Sequence, residues 1–295
     1  MGFKSGFICI VGCPNAGKST LLNSLVGEKI AIVSDKAQTT RSKITGILTR
    51  DDYQMVFLDT PGATVPNSRL GEYMQKTVFT SLIGVDVILF VLDAINGMRE
   101  KDDMLIERLK KTDIKKIGLI NKLDAATPAQ KDTAWAYLEK TGCFEKLLKI
   151  SAKSGEGLRE LEEMLYSYLE EGPKYYPDDM VTDMPERLLC AELVREKTLG
   201  LLKEEVPHGI VVEVDKMSMR SDRKLYDIWA TVYCERESHK PILIGKGGSM
   251  LKRIGEDSRK EMELMLGVNV NLQLYVKVRE GWRDNIRALN ELGFK

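Results

Sequence analysis

This chain of 295 residues has no net charge, only two histidines, few cysteines and no long apolar run. Lys plus Arg and Asp plus Glu both number 44, so the whole-chain charge neither indicates nor excludes a nucleic-acid partner. The five cysteines follow neither C-x-x-C nor mixed Cys/His spacing. Their pattern excludes a recognisable zinc site or disulfide framework and predicts free thiols in a reducing compartment.

Apolar segments are too short to predict a membrane span. The longest, Val85–Leu92, is interrupted by Asp86 and has the length of a strand, whereas a spanning helix needs roughly 18–20 residues. Residues 1–6 lack the apolar core of a signal peptide. We therefore expect a cytoplasmic protein, long enough for two domains that each bury a core.

The segment from Gly12 to Ser19 fits the phosphate-binding pattern G-x-x-x-x-G-K-[ST]. The apolar run Phe7–Val11 before it predicts a strand, and Thr20–Val26 after it predicts a helix. In such a loop, backbone N–H groups, a helix N-terminus and Lys18 meet phosphate oxygens, and the Ser19 hydroxyl suits Mg²⁺. The expected phosphate contacts are Gly12, Cys13, Pro14, Asn15, Ala16, Gly17, Lys18, Ser19 and Thr20.

Predicted strands and helices alternate from the first strand to about residue 169, and polar motifs repeatedly follow the strands. This order predicts an α/β domain with a mostly parallel sheet, helices on both faces and a ligand site at the carboxyl ends of the strands. Residues 172–183 then bring two prolines, two tyrosines and an acidic cluster, which predicts a linker. We accordingly expect domains at 1–171 and 184–295.

Asp59 stands at a strand end, in Asp59-Thr60-Pro61-Gly62, where it can reach Mg²⁺ through water. The Gly62 N–H can meet a γ-phosphate, and Thr40 can supply a second hydroxyl when its loop folds over a triphosphate. The expected metal ligands are Ser19, Thr40 and Asp59. The expected catalytic residues are Asn15, Lys18, Thr40, Asp59 and Gly62, and Thr60, Pro61 and Ala63 complete this part of the nucleotide site.

The base is expected to lie against Asn121-Lys122-Leu123-Asp124 and Ser151-Ala152-Lys153. The Asp124 carboxylate can accept from N1–H and the 2-amino group of guanine. Adenine would leave it unpaired, at a cost of about 1–3 kcal/mol. Lys122 would lie over the ring, and the Ala152 N–H would meet the guanine oxygen. The sequence therefore predicts binding of GTP and GDP.

Ile244-Gly245-Lys246-Gly247-Gly248 follows two predicted strands and precedes a predicted helix at 249–266. It matches the G-x-x-G loop with which KH domains clamp about four nucleotides of single-stranded RNA. Residues 239–260 carry six basic and two acidic side chains, so positive charge gathers here. Lys252 and Arg253 are further expected RNA contacts. Ile244 and the apolar residues of 225–235 could form the groove floor or simply belong to the core.

The motifs GCPNAGKS, Thr40, DTPG, NKLD and SAK together resemble those of the translation-factor-related GTPases. With the second module, the chain resembles the bacterial Era GTPase family over essentially its whole length. The resemblance implies a P-loop G domain, weak GTP hydrolysis and a smaller α+β KH domain of type II that binds RNA.

The resemblance also implies partners: the 3′ region of small-subunit ribosomal RNA and the small ribosomal subunit, during 16S rRNA maturation and subunit assembly. It implies peripheral association with the inner face of the cell membrane as well, although no basic amphipathic helix or lipidation motif supports this. We expect a monomer.

One departure from the Ras-like pattern concerns hydrolysis. Ala63 stands where Ras-like proteins place a glutamine that orients the attacking water, so intrinsic turnover should be slow. In related GTPases an asparagine at the position of Asn15 helps to hold K⁺ near the β- and γ-phosphates. We hypothesise the same role here; the alternative is an asparagine that only stabilises its own turn.

The leading hypothesis is a GTP-hydrolysing switch in which Thr40 and the loop after Gly62 respond to the γ-phosphate and affect RNA binding through the 172–183 segment. The alternative is a membrane-associated or cell-cycle signalling GTPase whose second domain binds a protein or lipid. An ATP-dependent kinase or transporter subunit comes third, because Asn121–Asp124 would then have no task.

Overall fold

The computed structural model describes residues 2–36, 38–63, 65–202, 206–221 and 224–294. The outer bounds of the predicted domains, Met1 and Lys295, lie outside them. The chain forms two compact units. The first comprises the chain up to Ala31, Thr40–Asn67 and Gly71–Asp183. The second comprises Ile32–Thr39, Ser68–Leu70 and the chain from Met184 onward.

A seven-stranded sheet forms the centre of the first unit, in the order β2-β3-β1-β4-β5-β6, with β7 beside β1. β2 and β7 are antiparallel to their neighbours and the other pairs are parallel, which confirms the predicted mostly parallel sheet. The strands are β1 (Lys4–Val11), β2 (Ile44–Thr49), β3 (Tyr53–Asp59), β4 (Val87–Asp93), β5 (Lys115–Asn121), β6 (Lys146–Lys149) and β7 (Glu170–Glu171).

Helices cover this sheet because successive strand residues alternate in direction. Cys9 and Phe90 pack on one side in a cluster that includes residues of three of the helices, and Ile8, which alternates with Cys9, is equally buried. The helices are α1 (Lys18–Val26), α2 (Arg69–Thr80), α3 (Glu100–Leu109), α4 (Pro128–Thr141) and α5 (Leu158–Tyr168). The carboxyl ends of β1, β3, β4 and β5 therefore carry polar residues to one edge of the sheet.

The predicted linker at 172–183 belongs to the first unit rather than spanning freely between domains. The Ile47 N–H of the edge strand β2 donates to the Val181 carbonyl at 2.8 Å. Gln54, which is fully buried, accepts from the N–H groups of Tyr175 and Tyr176 at 2.8 and 3.0 Å. A buried amide needs such partners, and they hold this segment against the sheet.

In the described part of the second unit, a three-stranded sheet is ordered β10-β9-β8 and accompanied by four α-helices. β8 and β9 are antiparallel, and β9 and β10 are parallel. The elements are α6 (Glu186–Leu201), β8 (Val211–Arg220), β9 (Leu225–Cys234), α7 (His239–Ile244), α8 (Ser249–Leu266), β10 (Asn269–Val278) and α9 (Ile286–Glu291). This α-β-β-α-α-β order, with α9 added, is that of the predicted KH domain of type II.

Three details of the second unit differ from the sequence prediction. The apolar residues of 210–214 predict a short strand, but β8 extends to Arg220. A helix is predicted over 282–292, whereas the structure has only α9, preceded by a 3₁₀ turn at Trp282–Asp284. The helix α7 was not predicted as an element, because it is short and contains Pro241. That proline lies in the first turn, where a backbone N–H has no intrahelical partner to lose.

Within the described ranges, no helix is both long enough and apolar enough to cross a bilayer.

Candidate functional site

The loop between β1 and α1 wraps around the Lys18 ammonium. Lys18 Nζ donates to the carbonyls of Gly12 and Cys13 at 3.1 and 3.0 Å, and burial lowers the pKa of this amine. Two glycines make the path possible: a Cβ on Gly12 would lie 2.4 Å from the Val91 carbonyl oxygen, and Gly17 has a φ of +95° immediately before α1. The loop thus presents its backbone and one amine, as the sequence predicts.

The three expected metal ligands come from separate stretches and meet. Ser19 Oγ donates to Asp59 Oδ2 at 2.7 Å and lies 2.9 Å from Thr40 Oγ1, and Thr40 Oγ1 is 3.4 Å from Asp59 Oδ2. Asp59 Oδ1 is buried and has no hydrogen-bond partner among the residues that the structure describes. Two hydroxyls and a carboxylate with an unused oxygen form a donor set that suits Mg²⁺. Burial raises the pKa of Asp59 to about 6.

The segment after Asp59 packs on the phosphate loop. Thr60 Oγ1 donates to the Ile10 carbonyl at 2.8 Å, and the Ala63 N–H donates to the Gly12 carbonyl at 3.1 Å. A Cβ on Gly62 would lie 2.7 Å from Pro14 atoms. The glycine is therefore required by its contact with the phosphate loop, in addition to the predicted approach of a γ-phosphate.

Asn121, one of the residues expected at the base, makes two hydrogen bonds within the protein. Its Nδ2 donates to the Ala16 carbonyl at 2.8 Å, and its Oδ1 accepts from the Ala152 N–H at 2.9 Å. The Ala152 N–H, predicted to meet the guanine oxygen, thus has Asn121 as its partner. A Cβ on Gly17 would lie 2.3 Å from Asn121 Nδ2. Asn121 joins the phosphate loop to the loop after β6.

Of the other residues expected at the base, Asp124 and Ser151 lie in contact. Asp124 is exposed, and its Oδ1 accepts from Ser151 Oγ at 2.7 Å. Lys122 is partly buried, Leu123 is buried and Lys153 is exposed. Lys122 Nζ donates to Asp93 Oδ2 at 2.8 Å. Sequence reasoning missed Asp93, although it ends an apolar strand just as Asp59 does.

The predicted G-x-x-G loop lies between α7 and α8. Gly245, Gly247 and Gly248 have φ values of +74°, +60° and +81°, a left-handed backbone that residues with a Cβ seldom adopt. Lys246 and Gly247 are exposed, so backbone and one cation face outward together. This geometry suits contact with phosphates.

Beside the loop, a groove of about 340 Å³ runs between α8 and β10. Its apolar floor includes Leu272 and Leu274 of β10, and Ile244 is not among its lining residues. Of the two alternatives left open for the apolar residues of 225–235, the structure supports the core, where Ile228 and Val232 are buried. The reason is strand order: β9 is central and its apolar residues face the core, whereas β10 is an edge strand. The lining residues are Gly248, Leu251, Lys252, Gly255, Glu256, Arg259, Leu272 and Leu274.

Lys252 and Gly248 are the predicted RNA contacts that line this groove. Arg253 is exposed on the same helix and lies 3.9 Å from Asp257, outside the groove lining. Arg259 was counted in the basic cluster but was not predicted as a contact. Its spacing of seven residues from Lys252 places both on one face of α8, and that helical period could have indicated it.

Two models of known protein families match parts of the chain. A family model described as "50S ribosome-binding GTPase" matches residues 7–122, and one described as "KH domain" matches residues 205–283. The fold and sites therefore define a P-loop GTPase that carries a KH domain.

GTPase Era of Alkaliphilus metalliredigens (strain QYMF) is 47% identical over 295 residues, with 100% of both chains covered. This chain belongs to the Era family of GTPases. A structure of Era with MgGDPNP and nucleotides 1506–1542 of 16S ribosomal RNA is similar, with a TM-score of 0.95, 40% identity and 99% of both chains covered. So is a variant of Aquifex aeolicus Era bound to GDP·AlF₄⁻, with a TM-score of 0.94, 40% identity and the same coverage.

The buried Asp59 carboxylate predicts a pH-dependent stability of the metal-free protein. Its pKa rises from the ordinary 3.8 to about 6 on folding, so between these values the folded state holds a proton that the unfolded state has released. The free energy of unfolding should therefore fall as pH rises from about 3 to about 7, by about 3 kcal/mol in total at 1.36 kcal/mol per pKa unit. Asp59→Asn should remove this fall.

Urea denaturation in EDTA at pH 4.5 and 7.5 measures the effect. The Asp59→Asn variant should be more stable than wild type at pH 7.5, and the difference in stability should be much smaller at pH 4.5. Asp113→Asn, at an exposed carboxylate, is the control and should match wild type at both. An equal difference between Asp59→Asn and wild type at the two pH values would contradict the prediction.

Proposed function

We propose that this GTPase is a nucleotide-controlled switch that binds the 3′ region of 16S ribosomal RNA and acts in maturation of that RNA and assembly of the small ribosomal subunit. GTP and GDP occupy the site built from the phosphate loop, Asp59 and Asp124. The RNA lies in the groove beside the G-x-x-G loop. Support comes from the relative, 40% identical over 99% of both chains, whose structure contains MgGDPNP and a 16S fragment.

The proposal of a switch rests on one observation. Thr40 contacts Ser19 and Asp59, while the residues immediately before it belong to the second unit. Within that unit, Arg195 donates to the Thr39 carbonyl, and Glu196 Oε1 accepts from the Val33 N–H at 2.8 Å. A γ-phosphate that orders Thr40 therefore acts on a chain segment whose preceding residues are bound to α6.

Hydrolysis rests on positioning and charge. Lys18 and the loop N–H groups stabilise charge on the transferred phosphoryl group. Ser19, Thr40 and Asp59 would hold Mg²⁺, which supplies further neutralisation of phosphate charge when bound. Ala63 offers no group that could orient a water molecule, so intrinsic turnover is slow. The expected cytoplasmic location stays a prediction.

Asp124 is expected to select the base. Asp124→Asn should weaken GDP binding at least about 100-fold, because two hydrogen bonds to a charged acceptor are lost. It should strengthen binding of xanthosine diphosphate, which offers an oxygen in place of the 2-amino group. Calorimetry measures both. Asp132→Asn, at an exposed carboxylate that lies 3.3 Å from Lys149, is the control and should bind like wild type. Wild-type protein that binds ADP as tightly as GDP would refute the assignment.

The G-x-x-G loop is expected to hold RNA phosphates. Lys246→Asp with Gly247→Asp should weaken binding of an RNA comprising nucleotides 1506–1542 of 16S rRNA by at least about tenfold, because two negative charges enter the loop. GTP hydrolysis without RNA should be unchanged. A gel-shift titration at fixed salt measures the affinity.

Gly97→Asp with Lys111→Asp is a matched control for this RNA test. Gly97 and Gly247 have φ values of +61° and +60°, both have open space where a Cβ would lie, and Lys111 is exposed as Lys246 is. The control should bind RNA like wild type. Undiminished RNA affinity in the loop variant would favour the alternative in which the second domain binds a protein or lipid.

We also propose that Asn15 helps to hold K⁺ near the phosphates. Its backbone is left-handed, with a φ of +64°, inside the phosphate loop. GTP hydrolysis by wild type should be about tenfold or more faster in K⁺ than in Na⁺, since the ion would supply charge as an arginine finger does. Asn15→Ala should be equally slow in both salts. Equal wild-type rates in K⁺ and Na⁺ would end the proposal.

A further inference from the structure

Asp93 is a fully buried carboxylate with no place in the nucleotide-binding motifs. It ends β4, whose six preceding residues are apolar and buried. A carboxylate in such a position is costly unless it is paired and hydrogen-bonded. Its partners therefore indicate why the chain places a charge there.

Four N–H donors surround Asp93. Oδ1 accepts from the N–H groups of Ile95 and Asn96 at 2.9 and 3.3 Å. Oδ2 accepts from Asn96 Nδ2 at 2.6 Å and from Lys122 Nζ at 2.8 Å. Burial acts to raise the pKa of Asp93, but the hydrogen bonds from Lys122, Asn96 and Ile95 outweigh it and hold the pKa below its usual range. Three of these donors belong to Ile95 and Asn96, in the turn that follows β4. The fourth, the Lys122 ammonium, is the only cation among the four.

The position of Lys122 explains this fourth contact. β4 and β5 pair in parallel with Asp93 opposite Asn121, so Lys122 leaves its strand just beyond the carboxylate. Lys122 has a φ of +72°, a left-handed backbone that is unusual outside glycine. With its ammonium on Asp93, the lysine is bound at both ends of its side chain, and its four methylenes span a fixed path.

We propose that Asp93 is a positioning residue for the base: it holds Lys122 so that the lysine stem forms one wall of the guanine site before the nucleotide arrives. The inference rests on the proposed function and on the expectation from the sequence that Lys122 lies over the guanine ring. An unanchored lysine would lose large rotamer entropy on binding, whereas an anchored one has little left to lose. The contribution is to affinity for a purine ring, with no discrimination between guanine and hypoxanthine and no effect on the phosphates.

The test variant is Asp93→Asn. It keeps the shape of the side chain and an oxygen for the N–H groups of Ile95 and Asn96, but it removes the negative charge that faces the Lys122 ammonium. Affinities for GDP and inosine diphosphate, measured by calorimetry, should fall by the same factor, about five- to twentyfold. The value of kcat at saturating GTP should stay within about twofold while KM rises. By contrast, Asp124→Asn should penalise GDP more than inosine diphosphate, because only GDP has the 2-amino group.

A double-mutant cycle separates positioning from a purely structural role. In the Lys122→Ala background, Asp93→Asn should change GDP affinity by less than about twofold. A loss as large as in wild type would show that Asp93 acts through the turn alone and would overturn the proposal. Unchanged GDP affinity in the single variant would overturn it as well.

Two further variants complete the design. Asp86→Asn changes a carboxylate that accepts the Phe7 N–H at 2.7 Å at the other end of the sheet, and it should leave all affinities unchanged. Lys122→Met keeps the stem without the ammonium, and it should weaken GDP and inosine diphosphate equally even if Asp93→Asn fails to fold. Unequal losses would contradict the proposal. If the proposed function itself were wrong, the result would be distinguishable from these outcomes, because wild-type protein would then not bind GDP.

Discussion

The side-chain amide of Asn121 is the contact on which the nucleotide site depends. It joins the Ala16 carbonyl of the phosphate loop to the Ala152 N–H of the loop after β6, with both distances below 3 Å. The two loops are far apart in the chain, and the parallel sheet brings them only to the same edge. Phosphate binding and base binding are therefore linked by one hydrogen-bonded group, and Gly17 must be a glycine to make room for it.

Near this amide the site buries the charges of Lys18 and Asp59, which are only partly compensated in the protein without ligand. Burial lowers the pKa of Lys18 and raises that of Asp59, so each charged form is disfavoured without ligand. A magnesium nucleotide supplies the opposite charge to both. Such a site favours binding at the expense of its own stability, and bound nucleotide should therefore stabilise the fold.

The sequence predicted most strand and helix positions of both units and the residues that meet at the phosphate and metal sites. These predictions succeeded because each motif has one local geometry: a strand, a glycine-rich turn and a helix. The hydrogen-bond partners of Asn121, the residues of β10 that line the groove and the contact of Gly62 with Pro14 were not predicted. All three depend on which distant segments lie side by side, and the strand order that decides this cannot be predicted from any single segment of the sequence.

The local signals also failed where a helix is short or a segment irregular. α7 has six residues with a proline in its first turn, and its period is too brief to detect. The segment at 172–183 looked like a free linker because it has no period at all. The segment forms hydrogen bonds with Gln54 and with the edge strand β2, and no pattern within the segment predicts these partners.

Cys13 lies inside the phosphate loop, yet only 1% of its surface is exposed. Burial, followed by the nearby Asp102 carboxylate, raises the pKa of its thiol to about 12, which leaves on the order of one thiolate in 10⁵ molecules at neutral pH. Peroxide and alkylating reagents act on the thiolate. Nucleotide turnover should thus continue through oxidative stress that inactivates enzymes with exposed cysteines at their catalytic loops.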